Sequence, residues 1–413
     1  MASRKDQKGR VLRKGEHYRK SDGLYSYSYV DIFGKRRVVY AKDILKLREK
    51  EEKILYDKLD GIDSYIASQM TLDYVFDKYM STKSELREST RNNYLDLYAR
   101  YIRNGFGKRK LSDIRYSDIL QFYNKLMVDR QLHIGTIETI QRLIHPALEL
   151  AVMDNIIRSN PSHGVLKMLK KDRSNLKKFI RHALSIEQQR EFLAYVENNP
   201  LYSRLKPLYT FMFGTGCRVG EVIGLRWEDI NLGDRTIYIN HSLYYYGGKR
   251  GKDGGHWVVN KPKTEAGFRM IPMIDPVYEA LVEEKARQAE EGISCKTEIE
   301  DLKDFVFCNR FCEIYNPEQI NKQIRRVIKS HNDEETVKAA CEGRKVIMLP
   351  NFTCHHMRHT FCSRLCEAEA NVKVIQSLMG HKDIHTTLDI YAEVSDKKKR
   401  ESLMGLFNEM KLF

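Results

Sequence analysis

Between residues 24 and 59 the spacing of the apolar side chains changes period, and this limits what the chain can fold into. In LYSYSYVDIFGKRRVVYA (24–41), Tyr25, Tyr27 and Tyr29 alternate with serines, which is the period of a strand. FGKRR reads as a turn and RRVVYA as a returning strand. From Lys42 to Leu59 the apolar residues Ile44, Leu45, Leu47, Ile54, Leu55 and Leu59 form a helical stripe. A small sheet backed by one helix is therefore expected first.

The helical period then continues. MTLDYVFDKYM follows Thr71 as a cap, and SDILQFYNKLM is expected to start at Ser117. TIETIQRLIHPALELAVMDN is long and apolar, with Pro146 marking a kink. Residues 166–182 carry seven Lys/Arg against one acid and read as a linker. Ser185 and Gln188 form a capping box that opens a new domain. A length of 413 residues exceeds one ordinary core. The expected fold class is a multidomain α+β chain. It has a β-sheet-plus-helix domain (1–66), an all-α domain (70–165), a basic linker (166–182) and a mainly α domain with a small antiparallel sheet (183–413).

No apolar run approaches the roughly 18–20 residues a membrane span needs. The basic start MASRKDQKGR is followed by no apolar stretch, so a cytoplasmic location and no membrane partner are expected. All eight cysteines fall after residue 216 and none forms Cys-x-x-Cys, which fits reduced, buried thiols. The formal charge of +15 calls for a polyanion, and residues 1–50 hold 15 Lys/Arg against 6 Asp/Glu. Candidate DNA contacts in the sheet are Arg13, Lys14, Tyr25, Tyr27, Tyr29, Lys35, Arg36 and Arg37. In the linker they are Lys170, Lys171, Lys177 and Lys178, placed to lie along backbone phosphates.

Four pieces of the last domain carry chemistry. TGCRVGEVIGLRWEDI (215–230) sets Arg218 behind two glycines, with Glu221 three residues on to brace it. The strand-like segments TIYIN and FRMIPM bracket a Gly- and Lys-rich stretch holding Lys261 and Lys263, so a hairpin or three-stranded sheet is expected. CHHMRHTF (354–361) crowds three histidines around Arg358. One helix can offer a tetrahedral ion only i, i+4 pairs such as His355 and His359. A fixed positive charge beside them opposes a metal, and no Glu stands in a His-Glu-x-x-His position. An anion cradle is the better reading, with no metal and no cofactor. Finally, IQSLMGHKDIHTTLDIYAEV breaks a helix at Gly380-His381 and places Tyr391 on the next one.

In chain order these read Arg…Lys…His-x-x-Arg…Gly-His…Tyr. The arrangement resembles the tyrosine recombinase (phage integrase) family over residues 183–395, and the N-terminal basic stretch resembles integrases of Gram-positive conjugative transposons. The resemblance implies a site-specific recombinase that cuts and rejoins DNA through a 3′-phosphotyrosine and a Holliday junction. It implies catalytic roles for Arg218, Lys263, His355, Arg358, His381 and Tyr391, with Glu221 in support and Lys261 competing with Lys263. Ten positions separate His381 from Tyr391, one more than in many relatives, and no other tyrosine follows His381. The first domain would bind arm-type DNA sites and the second core sites. Implied partners are double-stranded DNA, a homotetramer on DNA and an accessory excision or DNA-bending protein in a bacterial cell. The tail KKKRESLMGLFNEMKLF, apolar at helical spacing, would pack on a neighbouring protomer or on its own domain. A type IB topoisomerase and a non-catalytic DNA-architectural protein are the competing readings.

Overall fold

The computed structural model describes residues 4–31, 34–59, 64–172, 182–246, 255–262, 267–368 and 371–392. Contacts divide the chain into two compact units, one through residue 177 and one from residue 178.

The first unit opens with an antiparallel sheet in the order β1 (Glu16–Arg19), β2 (Leu24–Val30), β3 (Arg36–Ala41). Helix α1 (Ile44–Leu59) lies on one face, burying Ile44 and Leu47 against Tyr25, Tyr27 and Ala41. Cross-strand partners share a face, so the register Tyr25↔Ala41, Tyr27↔Val39 and Tyr29↔Arg37 commits all three β2 tyrosines to the helix side. Tyr25 and Tyr27 are 5% and 8% exposed, and Tyr29 packs on the same cluster. Tyr25 and Tyr27 are core rather than the DNA contacts expected of them, and Tyr29 is partly buried on the same side. The opposite face carries Arg36, Val38 and Tyr40, with the Arg19 guanidinium 5.1 Å from the Tyr40 ring.

Helices α2 (Ser64–Gln69), α3 (Leu72–Ser81), α4 (Glu88–Tyr98), α5 (Tyr116–Asp129), α6 (Ile134–Met153) and α7 (Val165–Asp172) follow. Their core centres on Phe76, Tyr98, Ile119, Tyr123, Ile140, Leu143 and Leu148. The Thr71 hydroxyl caps α3 by accepting from the Tyr74 N–H. The α5 cap falls two residues earlier than Ser117: the Asp118 carboxylate accepts from the Arg115 N–H at 2.9 Å. Helix α6 runs through Pro146 without a break.

The expected linker begins late. Val165 and Leu169, four apart, are buried in the helical core, so residues through Asp172 belong to this unit. Lys170 pairs with Glu138 at 2.6 Å on its surface and Lys171 is exposed. Lys177 and Lys178 lie outside the described residues. The sheet module and the helices are tied by Arg158, whose Nε and Nη2 donate to Asp57 of α1 at 3.0 Å each.

The second unit starts at α8 (Ile186–Asn198), capped by the expected Ser185–Gln188 box. Helices α9 (Lys206–Thr215), α10 (Val219–Ile223), α11 (Asp275–Glu290), α12 (Pro317–Glu342), α13 (Cys354–Glu367) and α14 (Val372–Met379) follow, then helical turns at 384–392, here α15. Both sheet forms expected here are present. Strands β4 (Ile230–Asn231), β5 (Thr236–Ile239) and β8 (Arg269–Pro272) form an antiparallel sheet in that order, and β6 (Ser242–Tyr246) pairs with β7 (His256–Asn260). The core gathers Phe192, Tyr209, Phe211, Met212, Ile223, Ile324 and Met357. Helix α9 runs through it against α11 and α13, carrying its C-terminus to the site described next. Among the described residues no helix is long and apolar enough to cross a membrane.

Candidate active site

Helix α9 ends at Gly216, whose φ of 60° is left-handed. That conformation favours glycine, and a Cβ there would also sit 2.4 Å from the Phe361 ring. The turn hands the chain to Arg218 at the start of α10. Glu221, buried one turn on, accepts from the Arg218 backbone N–H at 2.8 Å and from its Nη1 at 2.9 Å. The bracing carboxylate expected from the spacing is therefore in place.

Glu221 has a second partner that the spacing does not announce. Arg269 stands on the inward face of β8 and is 5% exposed. Its Nη2 and Nη1 donate to the two Glu221 oxygens at 2.7 and 3.2 Å. Burial alone would raise the Glu221 pKa; the Arg269 hydrogen bonds and charge, helped by Arg218, outweigh it and hold the carboxyl at about 2.

Arg358 projects from α13 and is 4% exposed. Its Nη1 donates to the Gly216 carbonyl at 2.7 Å and its Nη2 to the Met379 carbonyl at 2.6 Å. Arg218 Nη2 donates to the next carbonyl, Gly380, at 2.9 Å. Burial, then the charge of Arg218, pushes the Arg358 pKa down to about 10, so it stays cationic at neutral pH. The Arg218 side chain keeps 44% exposure. Two guanidinium groups from distant parts of the chain thus meet beside the end of α14, one of them open to solvent.

Gly380 caps α14 in the left-handed region (φ 60°) and aims the chain into His381. His381 is buried, with Nδ1 2.9 Å from the Thr387 hydroxyl and its N–H bonded to the Gln376 carbonyl at 3.2 Å. Burial and the neighbouring Arg358, Arg218, Arg269 and His355 push its pKa down to about 4, so its ring is neutral at pH 7. His355 is exposed on the first turn of α13, three residues before Arg358. Tyr391 on α15 is half-buried and packs with Ile390 on Cys362, Cys366, Ile375 and Met379. It therefore rests on α13 and α14, the helices that carry Arg358 and the carbonyls holding both arginines.

The rest of the His/Cys cluster has local work. His356 Nδ1 lies 2.9 Å from the Thr353 hydroxyl and accepts from the Thr353 N–H, closing the α13 N-terminus. His359 Nδ1 is 3.4 Å from the Ser363 hydroxyl, and Cys354, Cys362 and Cys366 are buried. Among the described residues no group of three His, Cys, Asp or Glu is arranged to hold a metal ion. Lys263 lies outside the described residues; Lys261 is exposed just after β7. The C-terminal tail also lies outside them.

Sequence reasoning missed Arg269, Thr387 and the α14 carbonyls. Only Arg269 left a signal: an arginine at an inward position of FRMIPM, where alternation calls for an apolar side chain.

The profile of the phage integrase family matches residues 182–398, more than half of the chain, and spans every site residue described above. The chain belongs to the phage integrase family. It is accordingly a tyrosine recombinase, a site-specific enzyme acting on DNA. Two further profiles match: the N-terminal SAM-like domain of phage integrases over 71–127, and the DNA-binding domain of Tn916 integrase over 1–58. The transposase from transposon Tn1545 of Streptococcus pneumoniae is 29% identical over 405 residues, spanning 95% of this chain and 94% of that one. The transposase from Tn916 of Enterococcus faecalis matches to the same extent. The Tn1549 transposon integrase, solved with transposon right-end DNA, shares the fold at a TM-score of 0.68. It is 24% identical, and the match covers 82% of this chain and 99% of that one.

Proposed function

We propose that this phage integrase family member excises and integrates a conjugative transposon, cutting each strand through a 3′-phosphotyrosine at Tyr391. The observation that carries the reading is the pair Arg218 and Arg358, brought together at the end of α14 with His381 beside them and Tyr391 packed on the same two helices. Planar guanidinium forks suit the non-bridging oxygens of one DNA phosphate. The relatives named as transposases of Tn1545 and Tn916 support the mobile-element substrate. The Tn1549 integrase was solved with transposon-end and circular-intermediate DNA, and DNA of that kind is proposed here.

Phosphoryl transfer asks mainly for positioning and positive charge. Tyr391 Oη attacks phosphorus as the P–O5′ bond breaks. An ordinary phenol is protonated at neutral pH, so its proton passes to His355. Lys263, or Lys261 in its place, gives a proton to the departing 5′ oxygen. Where Nδ1 of neutral His381 accepts from the Thr387 hydroxyl, Nε2 keeps its proton for a phosphate oxygen. The 5′-hydroxyl of the partner strand then attacks the phosphotyrosine and releases Tyr391. The ester conserves the bond energy, so the reaction uses neither ATP nor a metal. Four protomers would exchange strands in two steps through a Holliday junction, with an accessory protein bending the DNA. The division into an arm-binding domain, a core-binding domain and a catalytic domain follows the same logic. The arm-binding surface is assigned to the outer sheet face of Arg19, Arg36 and Tyr40.

The test is a nicked core-site duplex incubated with the protein. An SDS-stable adduct that maps to Tyr391 and is lost in Tyr391→Phe is expected. No adduct, or one that survives the substitution, rejects the assignment. Supercoil relaxation without recombinants would mark a topoisomerase instead.

A further inference from the structure

Three arginines close on the last turn of α14. Leu378, Met379 and Gly380 are consecutive, and their carbonyls accept from Arg269 Nε at 2.8 Å, Arg358 Nη2 at 2.6 Å and Arg218 Nη2 at 2.9 Å. The final carbonyls of a helix have no intrahelical partner, and their partial negative charge favours cations there. Two of these arginines are assigned to the DNA phosphate. Arg269 is different: at 5% exposed, it presents almost no surface to DNA. Its remaining donors are spent on the two Glu221 oxygens, with Nη2 also 3.8 Å from Cys217 Sγ.

Arg269 is therefore a joint. On one side is Glu221, which holds Arg218 through both its backbone and its side chain. On the other is the α14 end, one residue before the carbonyl held by Arg358 and three before His381. A planar guanidinium reaches both sides at once because its donors diverge in a fixed fork. A lysine ammonium at the same place would satisfy one side and leave the other. Without the guanidinium, the buried Glu221 carboxylate would be left with Arg218 as its cation and would draw that side chain inward. The Leu378 carbonyl would lose its partner and free the turn that aims His381.

We propose that Arg269 is a positioning residue for DNA cleavage, which sets the Arg218 fork and the Gly380–His381 turn relative to each other without touching the substrate. The inference rests on the assignment of Arg218, Arg358 and His381 to the scissile phosphate. A misplacement of about 1 Å in such a site costs on the order of 100-fold in rate.

The experiment uses the full-length protein and single-turnover cleavage of a nicked core-site duplex, with affinity for the same duplex measured by gel shift. Arg269→Gln is expected to slow adduct formation on the order of 100-fold with affinity unchanged, and Arg269→Lys to recover part of the rate. Because Arg269 and Glu221 share one network around Arg218, the loss in the Arg269→Gln/Glu221→Gln double variant should fall short of the product of the two single losses. Wild-type cleavage by folded Arg269→Gln overturns the proposal, as does a loss of affinity that accounts for the loss of rate. If Arg269→Gln does not fold, Arg269→Lys decides: slower cleavage at unchanged affinity supports the role, and wild-type cleavage rejects it. A wild-type protein that forms no Tyr391 adduct sinks the underlying assignment. Normal wild-type adduct with an unaffected Arg269→Gln sinks only this inference.

Discussion

In the N-terminal sheet module three buried carboxylates each hold an arginine of their own; at the active site one buried carboxylate serves two arginines and a third arginine is held by carbonyls. Asp6 holds Arg10, Glu16 holds Arg48 and Asp31 holds Arg37, at Nε–oxygen distances of 2.8 to 2.9 Å. In the pocket Glu221 serves Arg218 and Arg269, and the remaining donors go to the carbonyls of Gly216, Leu378, Met379 and Gly380. A carbonyl satisfies a hydrogen bond without cancelling a charge. The pKa shifts of Arg48 and Arg358 run in opposite directions as a result, while Arg269, which has a carboxylate partner, is raised like Arg48. The hydrogen bond to Glu16 raises Arg48 above the usual arginine value, whereas burial and neighbouring cations lower Arg358. Both regions are rich in arginine, but at the active site the buried Arg358 is held by carbonyls rather than by a carboxylate, and a buried cation of that kind is what an anionic substrate can complete.

The sharpest way to break that contrast is to remove a pocket cation that lacks a carboxylate. Arg358→Gln should reduce strand cleavage roughly 100- to 1000-fold, the usual loss for one donor to a transition-state oxyanion. Single-turnover adduct formation measures it, and wild-type cleavage would mean the unmatched charge serves only the fold.

Glu221 gives the next effect. Its carboxyl is held at about 2 against an ordinary 4.5, which corresponds to on the order of 3 kcal/mol of folding stability. A lowered carboxyl stabilises the fold fully above the ordinary value, and the contribution disappears as pH falls from 4.5 toward 2. Denaturant unfolding followed over that pH range should show a shallower acid dependence in Glu221→Gln than in wild type.

Glu16→Gln probes the matched region. It leaves Arg48 without its charge partner and should cost about 1–3 kcal/mol in the stability of the first unit. Core-site cleavage should not change, and a cleavage defect in the folded variant would place Glu16 in the reaction.

The smallest expected effect is Arg19→Ala on the outer sheet face. Loss of one phosphate contact should reduce the slope of log affinity against log salt by about one for arm-site DNA. Tyr27→Phe, on the helix side, should leave both that slope and the affinity for arm-site DNA unaltered. A reversal of the two results would mean that the sheet binds with its other face.

The candidate site residues could be picked out because the chemistry proposed for them calls for particular side chains, forked cations for a phosphate and a phenol to attack, and because a glycine stands where the backbone turns left-handed at Gly216. The helical core was legible because its apolar side chains recur at the 3.6-residue period. Alternation in β2 marks a strand and two faces, but not which face α1 covers, so Tyr25 and Tyr27 read as DNA contacts from the sequence and are core in the structure. Residues 166–172 read as linker because their lysines continue into the basic run that follows, although Leu166 and Leu169 pack, with Val165, on the helical core. Arg269 differed: alternation in FRMIPM marks it as inward, but nothing along the chain names Glu221 and the Leu378 carbonyl as its partners.

The sequence by itself determined most of the elements and the family, and supplied the candidate residues from which the reaction is proposed, because period and side-chain type are properties of neighbours along the chain. Only the tertiary structure decided which charges are matched and which are left for a substrate. That balance depends on distances among residues 218, 221, 269, 358 and 378–380, and Coulombic and hydrogen-bond energies follow separation in space rather than separation along the chain.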